Sequence, residues 1–525
     1  MDPQTLPSSW VEPAAPVLPS FIRLSALDNL TAPVYPSPTE FFPLKPDTDP
    51  RQIYEDCKRG LARYIYQHPH LCGRIIKDET GRNSIEIRPI PHAGVKFEFH
   101  DHRDMKEMPS YEEFRRFGWP FGDGDRDGLG KLRPKVIPSA QTGDPILMPR
   151  FNVIKGGIVL TISIAHAMCD LVQCMDVMGS WARHTCAVAN ARTKNLPEPP
   201  LPQQVAANLM DRSPLTPNVQ TEHDLDKLAA RAENVPHWTM LDPRDPQKMA
   251  KTIDDLFTKA RLTDNDLAKF PEEKLRQLST CIWTFPQSSI KSLKLVAERG
   301  SPKETKLSSI DCLTAFTWQR FFAAKWAPGL PGAEPIPKTT RIVYAGSVRR
   351  RLTPPLPFDY MPACVDLFPV AAKTGDFVSP APEALAKAAE LIRSSNNNWS
   401  EEVFHEMIEI AQMHPINPGL VPTGPLDALV TDHTRLGSVI REDWGPSLGR
   451  CEAYREPYFG RVPPYGELTL LPSCKNGEVD VMIAGEAVVL ERLRNDKELN
   501  AMASCQFIMD DFVKRAAKNR RSAKL

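Results

Sequence analysis

At 525 residues the chain is longer than one ordinary domain of roughly 100–200 residues, so two domains are expected. Apolar residues make up 41% and charged residues 25%, a globular composition that excludes wholesale disorder. Lys+Arg and Asp+Glu both count 65, so no general electrostatic pull toward nucleic acid or an anionic membrane is built in, and a phosphate-bearing ligand would need a local basic patch.

The first ten residues lack a basic region followed by an apolar core, so no secretory signal is expected. An apolar lead over 21–30 precedes a proline-rich loop. Asp49-Pro50 then opens a helix, with a capping carboxylate followed by proline at the first helical position. Ile53, Cys57, Leu61 and Tyr64 keep helical spacing until Pro69. Residues 85–90 and 95–99 read as alternating strands, and the β-branched run 158–164 as a buried strand. From about 190 to 275 the chain turns proline-rich and polar, as a crossover linker with short surface helices would. A strand is predicted over 279–285 and a helix over 308–325. A proline-rich region over 354–369 leads into a helix over 382–394. Strands over 467–472 and 478–484 precede a helix over 496–518. The 52 prolines, against 27 glycines, must stiffen many loops. The 11 scattered cysteines form no zinc pattern, and reduced thiols in an intracellular protein are expected. No apolar run reaches the ~18 residues of a membrane span.

The sharpest local signal is Ser163-Ile-Ala-His166-Ala-Met-Cys-Asp170. A strand ends at Ile164, and an amphipathic helix carrying Leu171, Cys174, Met175, Met178 and Trp181 follows. A histidine at such a junction can project into a cleft while the helix fixes its backbone. Asp170 is placed in the first helical turn, where the helix dipole favours a carboxylate. The spacing alone also fits a satisfied buried histidine and an ordinary helix-start aspartate. Gly445-Pro-Ser447-Leu-Gly449 satisfies the G-x-S-x-G pattern of a hydrolase nucleophile, but no buried strand precedes it and no histidine follows His433, so that reading fails. The pairs His68/His70 and His100/His102 lack further ligands at sensible spacing, and no metal site is assigned.

Five blocks in order give the His166 motif a context. The segment 163–170 resembles the H-x-x-x-D signature of the BAHD acyltransferases. Leu24-Ser-Ala-Leu-Asp28 resembles their L-S-x-L-D, and Pro69-His-Leu-Cys-Gly-Arg74 their P-x-L-x-G-R. The stretch from Ser308 to Trp318 resembles a helix opening of the family. Arg349-Arg-Arg-Leu-Thr-Pro-Pro-Leu-Pro357 resembles R-x-R-L-x-P-P-L-P. Asp443-Trp-Gly445 stands where the family has D-F-G-W-G, with Trp444 for Phe and Pro446-Ser447 for the terminal pair. The usual upstream Ser/Thr-Trp pair appears only as His433-Thr434. These departures look like the fungal branch and leave the shape of the acyl pocket open.

The resemblance implies two chloramphenicol-acetyltransferase-like α/β domains of mixed sheet with the active site in a channel between them. The expected boundaries are 1–200, a crossover over 201–275, and 276–525. It implies transfer of an acyl group, most simply acetyl, from acyl-CoA to a hydroxyl of a small secondary metabolite in a ternary complex. His166 would be the general base, with no acyl-enzyme and no permanently bound cofactor. An imidazole of pKa about 6.5 suits both taking the hydroxyl proton and returning it to the leaving thiolate. Asp170 and Arg349 would pair as structural support. Asp443 and Gly445 belong to the C-terminal motif, Asp443 counting among the catalytic-site residues though in a structural role. Ser308-Ser309, a capping box with Asp311, and the nearby Lys303 and Lys306 are the candidate CoA-phosphate contacts. A monomer is expected, binding acyl-CoA and an alcohol but no nucleic acid. The alternatives are a stand-alone condensation-type enzyme, disfavoured by Ala165 before the histidine and Leu171 after the aspartate, and a non-catalytic binder on the same fold. The basic tail 514–525 ends in Ala-Lys-Leu, a near variant of the peroxisomal Ser-Lys-Leu, so a cytoplasmic or peroxisomal location is expected.

Overall fold

The computed structural model describes residues 9–31, 34–79, 81–89, 92–120, 129–134, 143–301, 306–328, 336–375, 377–456, 465–475 and 477–508. Lys303, the N-terminal eight residues and the tail with its Ala-Lys-Leu lie outside them. Two large sheets organise the α/β fold. The first has five strands in the order Ala453–Arg455, Thr39–Pro43, Gly157–Ile164, Leu147–Ile154 and Glu98–Asp101. The second has seven, in the order Val365–Lys373, Thr339–Ser347, Ala428–Asp432, Glu467–Pro472, Val479–Glu486, Leu278–Phe285 and Ser504–Ile508. Strand Gly157–Ile164 is buried along its whole length, as its apolar and β-branched residues require of a central strand, and its one serine, Ser163, is hydrogen-bonded to Ser37.

Helices Pro50–Gln67 and Leu171–Thr193 pack together beside the first sheet. Asp49 caps the former by accepting from the Arg51 N–H at 2.9 Å, and Ile53, Cys57, Leu61 and Tyr64 are all buried. The two helices approach closely at Gly60, where any Cβ would collide with Thr185. Trp181 closes the contact by donating its indole N–H to the Cys57 carbonyl at 2.9 Å. The second sheet carries helices Gln287–Gly300, Ser309–Trp326 and Pro382–Asn397 around its own core. No helix among the described residues is long and apolar enough to cross a membrane.

Several sequence expectations change. The helix expected over 496–518 stops early: Lys497–Met502 is helical, and Ser504–Ile508 is a strand pairing antiparallel with Leu278–Phe285. Cys505 and Phe507 suit an edge position there, and residues 509–518 lie outside the described residues. The proline-rich region 354–369 contains the start of strand Val365–Lys373. Pro369 is tolerated because this strand lies at the sheet edge, where a missing N–H breaks no second ladder. The crossover is more than surface helices, because Trp238–Met240 pairs with Leu420–Pro422. Asp170 sits one position before the helix, as its N-cap, with the side chain accepting from Val172 N–H at 2.9 Å.

Candidate active site

A cavity of about 900 Å³ opens between the two large sheets and their helices. Most of its wall is apolar, including Leu27, Leu171, Met175, Trp238, Phe257 and Phe368. Polar side chains reach it from both halves of the chain, among them His166 and Asp170 from one, and Arg349, Asp432, His433, Glu456 and Glu467 from the other. Such a chamber suits a largely hydrophobic small molecule held by a few polar groups.

His166 begins the short turn that follows strand Gly157–Ile164. Its backbone N–H donates to the Val34 carbonyl at 2.8 Å, which fixes the loop against the N-terminal segment. Burial lowers its imidazole pKa; hydrogen bonding to the backbone at His166 and Cys169 and the charge of Asp170 act the other way, and His433 pushes it down further. The net effect favours the neutral base at neutral pH.

Asp170 and Arg349 meet across the two halves, with Arg349 Nη2 2.6 Å from Asp170 Oδ2. Both are enclosed, at 5% and 2% side-chain exposure, and further hydrogen bonds hold each of them. Asp170 accepts from the Val172 and Cys364 N–H groups, while Arg349 donates to the Tyr360 and Pro362 carbonyls. One residue upstream of Cys364, the Ala363 N–H donates to Asp28 Oδ1 at 3.0 Å, and Asp28 also receives Arg212 Nε at 2.8 Å. Two carboxylates of the first half thus clamp consecutive backbone N–H groups of the second.

The other expected residues lie elsewhere. Asp443 is not part of the cavity wall. Its Oδ1 accepts from the Gly445 N–H at 2.8 Å, shaping a turn whose Trp444 is buried against Phe42 and Trp181. Gly445 has φ +113°, and a Cβ there would stand 3.0 Å from the Ala189 Cβ. This segment packs against the helix behind His166, and Asp443, expected in a structural role, lies away from the cavity. Ser308 and Asp311 complete the anticipated capping box, but neither Ser308 nor Ser309 reaches the cavity. Asp311 is further occupied by Arg393 Nε at 2.9 Å. Ser447 sits in a turn that no strand precedes, in keeping with the rejected hydrolase reading. His70 and His102 are buried against Gln173 and Asn152, respectively. Among the described residues no cluster of three or more His, Cys, Asp or Glu side chains could hold a metal ion.

The sequence reading missed His433, Glu456 and Glu467 as wall residues. His433 Nδ1 lies 2.6 Å from Glu456 Oε2. Burial pushes Glu467 up to about 7, with Glu456 adding to the shift while Thr469 and His433 oppose it. A usable signal was present: strand Ala428–Asp432 runs directly into His433 and a short turn, as strand Gly157–Ile164 runs into His166.

A model of the Transferase family matches residues 4–437, most of the chain. The chain belongs to that family. Its relatives place it among the BAHD-type acyltransferases, in their fungal branch. It is 24% identical over 513 residues to the acyltransferase easC of Emericella nidulans, covering 95% of this chain and 97% of that one. It is 22% identical to the eremophilane O-acetyltransferase prx11 of Penicillium rubens, covering 92% and 98%. The structure of F. graminearum TRI101 complexed with coenzyme A and T-2 mycotoxin shares the fold, with a TM-score of 0.67 and 18% identity over 93% of this chain and all of that one.

Proposed function

We propose that this BAHD-type chain is an acyl-CoA-dependent O-acyltransferase that moves an acyl group, most simply acetyl, to a hydroxyl of a small secondary metabolite. The halves 1–200 and 276–525 would act as the two catalytic domains. The observation that carries the reading is His166 at the head of a mostly apolar 900 Å³ cavity, with burial holding its imidazole in the neutral form. The relatives, an O-acetyltransferase among them, and a structural neighbour complexed with coenzyme A support it.

In this scheme the acceptor hydroxyl enters the apolar chamber and places its oxygen against the thioester carbonyl carbon. His166 takes the hydroxyl proton as the new C–O bond forms. Collapse of the tetrahedral species breaks the C–S bond, and the imidazolium returns the proton to the thiolate. Holding both reactants in one chamber converts the attack into an effectively unimolecular step. Asp170 and Arg349 support the His166 loop and keep the two halves in register, with Gly445 and Trp444 bracing the helix behind it.

Incubation with acetyl-CoA and a panel of terpenoid, polyketide and alkaloid alcohols, with release of free thiol as the readout, tests the proposal. Alcohol-dependent release in the wild type and its loss in His166→Ala are expected, together with no acyl adduct in the intact mass. A stable acyl-protein adduct, or full turnover in the variant, would overturn it. For location, a reporter carrying the last dozen residues becomes punctate if Ala-Lys-Leu is read as a peroxisomal address, and diffuse on deletion of Leu525.

A further inference from the structure

The cavity holds two histidines, each standing where a sheet strand gives way to a short turn. His166 follows strand Gly157–Ile164 of the five-stranded sheet, and His433 follows strand Ala428–Asp432 of the seven-stranded sheet. They are close enough that the charge of one acts on the other. The groups around each ring differ in kind. The His166 ring faces backbone and the more distant Asp170, whereas His433 Nδ1 is seated on the Glu456 carboxylate at 2.6 Å. That contact fixes the ring, with the N–H at Nδ1 donated to the carboxylate, and in the protonated ring Nε2 carries a second N–H. His433 Nε2 has no hydrogen-bond partner among the described residues, although the ring is part of the cavity wall.

We infer that His433 is a second catalytic residue, whose Nε2–H donates to the carbonyl oxygen of the acyl donor while His166 works on the acceptor hydroxyl. The inference rests on the acyl-transfer reading above. Atoms and charges balance without another reactant. The hydroxyl proton passes to His166, and the carbonyl oxygen gains negative charge while accepting from His433. When the C–S bond breaks the proton returns from His166 to sulfur, and His433 ends as it began. A donor already oriented in a mostly apolar chamber stabilises the developing charge without reorganising.

The charge state of His433 suits the role. Burial acts to discharge the ring, but Glu456, Asp432 and Glu467 outweigh it and leave the pKa raised. The remaining charged or titratable wall groups nearby are His166 and Arg435, with Tyr344 hydrogen-bonded to Asp432 at 3.4 Å. One imidazole is thus held neutral and the other biased toward the cation. A requirement for both states gives a bell-shaped pH profile, whose acid limb reports His166 and whose alkaline limb reports His433.

The experiment uses the full chain, its His433→Gln and Glu456→Gln variants, and acetyl-CoA. Thiol release is measured against pH, and the histidine imidazoles are titrated in parallel by NMR with carbon-13-labelled histidine. Removing His433 should lower kcat by about 10²–10³-fold, with acetyl-CoA affinity retained, and abolish the alkaline limb. In the NMR arm His166 should titrate higher in His433→Gln, because a neighbouring positive charge has gone. Glu456→Gln, which keeps a hydrogen bond but removes the charge, should move the alkaline limb to lower pH. An unchanged alkaline limb in His433→Gln, or an unmoved His166 titration, overturns the inference. The NMR arm does not depend on turnover, so absence of thiol release in the wild type would count against the acyl-transfer reading separately.

Discussion

The reactivity proposed for His166 follows from where its ring is kept. Burial disfavours the charged form, so its pKa lies below the ordinary imidazole value of about 6.5, and the base is free at neutral pH. The sign is plain: kcat/KM should hold steady on going from neutral pH to somewhat below 6.5, then fall as the imidazole protonates. A pH–rate curve whose acid limb lies above 6.5 would contradict this. His166→Ala should cost about 10²–10⁴-fold in rate while leaving the thermal melting temperature nearly unchanged, which a melt beside the assay will show. At this scale the sequence revealed His166 because an aspartate stands four residues away in a recognisable string. His433 and Glu456 are 23 positions apart, and only the turn after Ala428–Asp432 and the position of strand Ala453–Arg455 bring them together. No local spacing encodes such a pair.

Among the elements, the helix Leu171–Thr193 links the site to the core. Asp170 does two jobs at its start, capping the Val172 N–H and neutralising Arg349. Asp170→Ala should therefore destabilise the protein by roughly 3–5 kcal/mol, because it strands a buried guanidinium, and should lower activity as well. Asp170→Asn keeps the cap and should be milder. In a double-mutant cycle, Arg349→Met should cost markedly less in the Asp170→Ala background than alone; additive costs in the melts would show that the ion pair carries no coupling. At the other side of the same helix, Gly445→Ala forces a left-handed backbone onto a residue with a Cβ, close to Ala189 and Cys186. A loss of about 1–3 kcal/mol in denaturant unfolding is expected, with CoA affinity unchanged. Elements with strong end signals were legible: Asp49-Pro50 and the Ser308–Asp311 capping box both open helices. Val365–Lys373 was not, because Pro369 argues against a strand until the sheet order shows it at the edge. The cap also explains why Asp170 was placed one position too far into its helix: spacing cannot distinguish the cap from the first turn.

For the whole molecule, chain order and hydrogen bonding disagree about which half some residues serve. Residues 453–455 follow the crossover by far, yet they pair in register with Thr39–Phe41 as the outer strand of the first sheet. Trp444, from the same stretch, fills the first core beside Phe42 and Trp181. Arg455 then ties this strand back to the second sheet through Asp480 at 2.8 Å. Composition and periodicity announced two halves but gave no sign of this return, because three residues carry too short a pattern to assign to a sheet. Residues 1–200 expressed alone should leave the Thr39–Pro43 edge unpaired and the Trp444 site empty, and so should aggregate. Co-expression with 201–525 should recover soluble complex by size-exclusion chromatography; a monodisperse, folded 1–200 fragment would contradict this.

The returning strand also restricts how such proteins can exchange parts. A hybrid gene joined at the crossover, with its first half from one parent and its second from another, would seat a foreign tryptophan and a foreign edge strand in a core that never met them. Moving residues 439–456 together with the first half would preserve that fit, but would set the boundary of compatibility against Asp480 and detach Glu456 from its native surroundings. The cavity wall outside that stretch, including Trp238, Phe257 and Phe368, can vary without disturbing this fit, and a recombinant that folds should inherit its segment 439–456 and its strand Thr39–Pro43 from a single ancestor.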